Sequence, residues 1–182
     1  MGKKIVVLNG SPRINGNTAA LIREFTKGAE EAGHTVTNFL LHDMNIKGCK
    51  GCWGGGKNAK SPCTTKDDMD KIYPAYIEAD IVVLGSPLYY WNISGQLKNA
   101  FDRLFAVAEM NADYRNPKKD AVLLMAAEGD GFEESVYWYE RIMKHIGWRD
   151  RGQILMGGVH HPGDAAGKPE LKKAYELGKS IN

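Results

Sequence analysis

The apolar positions of this chain alternate between two patterns. Short unbroken apolar runs mark strands at roughly 4–9 (Ile5 to Leu8), 81–85 and 121–126, with weaker ones near 34–40 and 152–158. Runs without a polar interruption suit strands covered on both faces. Between them lie stretches whose apolar residues recur every three or four positions, the period of an amphipathic helix. Leu21, Ile22, Phe25 and Ala29 line one face of a helix over roughly 17–32, which stops at Gly33. A second helix, capped by Asp67, carries Met69, Ile72, Tyr76 and Ile77, and Pro74 inside it predicts a kink or a fresh start. A third, roughly 94–108, sets Leu97, Phe101, Leu104, Phe105 and Ala108 on one stripe. A fourth, roughly 131–146, does the same with Phe132, Val136, Tyr139, Ile142, Met143 and Ile146, and Pro169 opens a last helix. Five β/α units predict an α/β fold with a parallel sheet and helices on both faces. Ligands of such sheets sit beyond the carboxyl ends of the strands.

The first of those ends carries the densest chemistry. In KIVVLNGSPRINGNT, Lys4 to Thr18, a strand runs into a loop of small, hydroxyl and amide residues and then into a helix N-terminus. Free N–H groups and the positive end of the helix dipole then converge on one spot, which suits phosphate. No Gly-Lys-Ser/Thr occurs in this loop, which excludes a Walker loop here, and the spacing from Gly10 to Gly16 excludes the G-x-G-x-x-G dinucleotide fingerprint. Ser11, Asn15, Asn17 and Thr18 surround a single cation, Arg13. Many neutral donors around one group fit a terminal monophosphate better than a bridging pyrophosphate. A plain turn capped by Asn17 or Thr18 would explain one of these residues and not the cluster.

After the third strand come Pro87, Leu88, Tyr89, Tyr90, Trp91 and Asn92. Three consecutive aromatics in a loop offer flat apolar faces, and the backbone beside them offers polar edges, the two things a tricyclic ring needs. Ser94 either reaches a ligand oxygen or caps the third helix. The fourth strand ends in Ala126, Ala127, Glu128, Gly129, Asp130 and Gly131, small enough for close backbone approach.

GSPRINGNT after a first strand and SPLYYWNISGQLKNAFDR, Ser86 to Arg103, resemble the NAD(P)H-dependent FMN reductase and iron–sulfur flavoprotein group of the flavodoxin-like superfamily. A cysteine-rich stretch between them adds a third likeness, and the resemblance covers most of residues 3–160. It implies a flavodoxin-like three-layer sandwich with strand order 2-1-3-4-5 and one FMN-binding domain over 1–182. Ser11, Arg13, Asn15, Asn17 and Thr18 would hold the phosphate, and Pro87 to Trp91 with Asn92 would run along the isoalloxazine. Ala127, Glu128 and Gly129 would border the pyrimidine edge. The implied chemistry is ping-pong hydride transfer from NAD(P)H through flavin N5 to a quinone, flavin or nitroaromatic, with no catalytic side chain. A flavodoxin-type electron carrier is the alternative. Most members of the group are dimers or dimers of dimers, so a homodimer or tetramer is implied.

Charge agrees with this. The 182 residues carry 24 basic and 22 acidic side chains, a net +2 without runs. That favours neither nucleic acid nor a membrane surface as partner, and it departs from the acidity of flavodoxins. No apolar run reaches membrane-spanning length. Three cysteines and no export signal predict a reducing cytoplasm. Cys49, Cys52 and Cys63 are spaced C-x2-C-x10-C. Iron–sulfur flavoproteins carry four close cysteines here, and Gly55 stands where a third is expected. A cubane needs four thiolates and a zinc site four ligands, so no metal is assigned and a structural role is. A redox role for the C-x-x-C pair stays open, although the pair lacks the strand–helix setting of redox dithiols. His160 and His161 read as an exposed turn, and Asp102 and Arg103 as structural ion-pair partners.

Overall fold

A computed structural model describes residues 2–182. The chain lays down β1 (Lys4–Asn9), α1 (Asn17–Glu31), β2 (Thr35–Leu40), a 3-10 turn (Leu41–Asp43), α2 (Met69–Glu78) and β3 (Ile81–Pro87). It continues with α3 (Gly95–Arg103), α4 (Phe105–Ala108), β4 (Asp120–Ala126), α5 (Glu133–Ile146), β5 (Arg149–Met156) and α6 (Pro169–Lys179). The sheet order is β2-β1-β3-β4-β5, every pair parallel. This is the order implied by the resemblance, and β1 and β3 stand side by side at its switch point.

Strand alternation divides the core in two. Ile5, Val7, Ile81, Val83, Val122 and Leu124 meet α1 and α6 on one face. Val6, Leu8, Val82, Leu84, Ala121 and Leu123 meet α2, α3 and α5 on the other. On the first face α1 and α6 approach to backbone contact. A β-carbon on Gly28 would strike the Tyr175 carbonyl, and one on Gly178 the Phe25 carbonyl. No helix among the described residues is long and apolar enough to cross a membrane.

Four expectations shift. α2 runs through Pro74 as one helix; the fully buried Tyr73 and Tyr76 on either side hold it in place. Asp68 takes the N-cap position there, while Asp67 Oδ1 accepts the Met69 N–H at 3.1 Å. The third helix breaks at Leu104 because the Tyr73 hydroxyl takes the Arg103 carbonyl at 3.1 Å, and Val107 N–H turns to Leu104 O instead. β5 begins three residues early, in the polar Arg149-Asp150-Arg151. It lies at the sheet's edge, where charge is tolerated, and Arg149 pairs with Asp120 on β4 at 2.7 Å.

Candidate functional site

The loops after β1, β3 and β4 leave adjacent strand ends, since Asn9 pairs with Gly85 and Pro87 with Ala126. They are also stitched together. Gly10 N–H donates to Gly85 O at 2.7 Å, and Ser94 Oγ donates to Gly10 O at 2.8 Å. A β-carbon on Gly10 would collide with Ser94 Oγ and come within 2.8 Å of Leu97 Cβ, so only glycine permits this approach. Leu88 N–H donates to Ala126 O at 2.9 Å, and Ser135 Oγ to Trp91 O at 2.9 Å.

In the first loop, Gly16 occupies the N-cap of α1, so no side chain caps the helix. The Asn17, Thr18 and Ala19 N–H groups find no partner among the described residues, although all three residues are buried. No acidic side chain occupies the first turn. An uncapped helix end of this kind is a fixed positive pole. Ser11 is buried, and its hydroxyl bridges the Arg13 N–H and carbonyl at 3.2 and 3.3 Å. Thr18 is buried with no hydrogen bond from its hydroxyl among the described residues, and Asn15 is exposed.

Asn17 and Arg13 do something the sequence did not suggest. Asn17 Nδ2 donates to His161 O at 3.0 Å, and its Oδ1 accepts the Ala165 N–H at 3.2 Å. Arg13 Nη1 donates to His160 O at 3.1 Å. The loop after β5 therefore lies against the first loop. Asp164 shapes it by accepting the His160 and His161 N–H groups at 2.9 and 2.8 Å, and these bonds hold its carboxyl below the usual carboxylate range. The histidine rings are exposed, as expected, but their carbonyls are structural. The only local signal was the His-His-Pro-Gly-Asp turn, and nothing in it names partners some 144 residues away.

In the second loop, Tyr89 and Asn92 exchange backbone hydrogen bonds at 2.9 and 3.1 Å around Tyr90 and Trp91. Both central residues are left-handed, φ 49° and 59°, as a two-residue type I′ hairpin requires. Tyr90 is 95% exposed and Trp91 59%. Asn92 Oδ1 turns inward to the Ile93 N–H at 2.8 Å. Ser94 is a helix cap: fully buried, it accepts the Leu97 N–H at 3.3 Å. In the third loop Ala127 is buried and pairs with Met156 O, while Glu128 and Gly129 are exposed. The N–H groups of Glu128 through Gly131 have no partner among the described residues. Glu128 reaches His160 Nδ1 at 3.2 Å, an exposed pair of small energetic weight.

The cysteine loop is organised by Arg103. This residue and Asp67 form an ion pair at 2.8 Å with side chains 1% and 0% exposed. Burial opposes the Asp67 charge, but hydrogen bonds from Arg103 and from the Lys47 and Met69 N–H groups outweigh it and hold the carboxyl below its usual range. Arg103 Nε donates to Cys63 Sγ at 3.2 Å. No group of three or more His, Cys, Asp or Glu side chains among the described residues is arranged to hold a metal.

An all-parallel 2-1-3-4-5 sheet with these loops at its switch point is a flavodoxin-like fold. Residues 3–150 match the family described as NADPH-dependent FMN reductase. An iron–sulfur flavoprotein of Archaeoglobus fulgidus is 32% identical over 98% of this chain and 78% of its own length. A second, from Methanocaldococcus jannaschii, is 34% identical over 98% of this chain and 95% of its own. The NAD(P)H:quinone oxidoreductase of Methanothermobacter marburgensis shares the fold with a TM-score of 0.72 at 22% identity, covering 98% of this chain and 96% of that one. The chain belongs to the NADPH-dependent FMN reductase family, an NAD(P)H-dependent flavin oxidoreductase family with FMN as cofactor.

Proposed function

We propose that this protein passes reducing equivalents from NAD(P)H to a small-molecule acceptor (a quinone, a free flavin or a nitroaromatic) in a ping-pong cycle, with FMN held across the loops after β1, β3 and β4. The observation that carries the reading is the uncapped N-terminus of α1, hydrogen-bonded through Gly10 and Ser94 to a neighbouring loop that exposes three aromatics. FMN, when bound, supplies the two-electron chemistry, accepting hydride from NAD(P)H and returning it to the acceptor.

The chain's own part is to bind and to orient. The Asn17, Thr18 and Ala19 N–H groups and the Thr18 and Ser11 hydroxyls would receive the phosphate, with the helix dipole and Arg13 offsetting its charge. Asn17 would act as a strut, since both ends of its amide are committed to the loop after β5. Pro87 to Trp91 would provide a face for the ring and leave room for a nicotinamide. The unpartnered N–H groups of Glu128 and Gly129 would stabilise negative charge at the pyrimidine edge. The reading extends to a cytoplasmic homodimer or tetramer, supported by the free cysteines and by the exposed Tyr89, Tyr90 and Trp91.

Anaerobic mixing with NADH and NADPH tests this directly. Yellow protein should bleach with one or both, and initial rates against a quinone should give parallel double-reciprocal lines. Intersecting lines reject the ping-pong order, and a yellow protein that neither nucleotide reduces is an electron carrier.

A further inference from the structure

Cys49, Cys52 and Cys63 all line one cavity of about 160 Å³. The relatives' name raises an iron–sulfur cluster, and the residues present do not fit one. A cubane takes four thiolates, and the chain has three cysteines. A β-carbon on Gly55, where the resemblance expects the missing cysteine, would overlap Glu109 Oε2 and lie 3.1 Å from Pro62 O, so a carboxylate end lies against that position.

The three thiols are unequal. Cys63 is buried and receives Arg103 Nε. The same guanidinium donates to Lys47 O, to Thr65 O and to both oxygens of Asp67, at 2.8 to 3.1 Å. Moving Cys63 disturbs that buried set. Cys49 and Cys52 are exposed and separated by two residues. Gly51 N–H donates to Cys49 Sγ at 3.4 Å, and Cys52 Sγ lies 3.2 Å from Thr64 Oγ1. The Thr64 hydroxyl, then the Gly54 amide, hold the Cys52 thiol below its ordinary value. The thiolate is the attacking form in disulfide exchange.

We infer that Cys49 and Cys52 are a two-thiol redox site that closes to a disulfide against low-molecular-weight disulfides, while burial keeps Cys63 out of the exchange. Cys52 thiolate attacks one sulfur of the small disulfide and releases one thiol. Cys49 thiolate then attacks Cys52 Sγ of the mixed disulfide and releases the second. The protein pair loses two electrons and two protons, and the small disulfide gains both as two thiols. This inference stands apart from the flavin reading.

The FMN-loaded protein, equilibrated anaerobically in glutathione mixtures, acid-quenched, alkylated and digested, tests it. In oxidising mixtures the Cys49–Cys52 peptide should lose two hydrogens and take no label, reversibly, with Cys63 reduced throughout. Cys49→Ser should stop at a glutathione adduct on Cys52. Thr64→Val should slow alkylation of Cys52 severalfold at neutral pH without changing Cys49; an unchanged rate removes the attack assigned to Cys52. Separate adducts on both cysteines of the unaltered chain, a disulfide to Cys63, or persistent reduction overturns the inference. So does incubation with ferrous iron and sulfide, if it yields a centre that shields all three thiols from label.

Discussion

Tyr90 and Trp91 hold left-handed conformations that cost a residue with a β-carbon about 1 kcal/mol or more each. Tyr90 is 95% exposed, so its packing does not repay that strain. Strain kept at an exposed aromatic points to use by a ligand. Tyr90→Asn should therefore raise the stability of the FMN-free protein by up to about 1 kcal/mol while slowing reduction by NAD(P)H. A variant that loses stability, or keeps full activity, would show the ring serves the fold. Asp67 is the opposite case, a residue wholly invested in structure. Asp67→Asn leaves Arg103 with a weakened buried partner and should cost about 3 kcal/mol in denaturant unfolding. Its depressed folded pKa also sets a pH signature. The contribution is present above the unfolded value of about 3.9 and is lost as pH falls through the lower folded value. Acid should thus destabilise the natural chain more steeply than Asp67→Asn below about pH 4.

At the scale of elements, the contact between α1 and α6 decides between two known effects. Gly28→Ala improves helix propensity by about 1 kcal/mol. Its new β-carbon, however, meets the Tyr175 carbonyl and lies 2.9 Å from the Lys179 nitrogen. Backbone cannot rotate aside as a side chain can, and overpacking costs about 1–3 kcal/mol. The clash should win, with a lower denaturant midpoint and an unchanged m-value; a gain in stability would mean the helices can separate freely. The same rule of close approach governs Gly10 against Ser94. There it joins two loops rather than two helices, and it makes the loops after β1 and β3 one mechanical unit.

For the molecule as a whole, the site gathers loops from four strands: β1, β3, β4 and, through Asn17 and Arg13, the segment after β5. A ligand gripping such a site stabilises most of the sheet. FMN at a hundred times its Kd should add about 2.7 kcal/mol, which for a chain of this size raises Tm by about 5–10 °C. Fluorescence and far-UV circular dichroism should follow one coincident transition. A Tm indifferent to FMN would mean that the folded protein does not bind it.

Hydrophobic period and turn chemistry are local quantities, and what depends on them was readable in advance. The bounds of β1 and α1 and the parallel α/β class all come from neighbours along the chain. The strand order came from likeness to a family, not from any period. Tertiary structure decided the rest, because partners distant in sequence leave no local mark. The Asn17 side-chain amide bonds His161 and Ala165, partners that no neighbour in the sequence names. The third helix reads as continuous until Tyr73 takes its carbonyl. Arg103 reads as one charge beside another until it is seen buried, holding Asp67 and the thiol of Cys63 together.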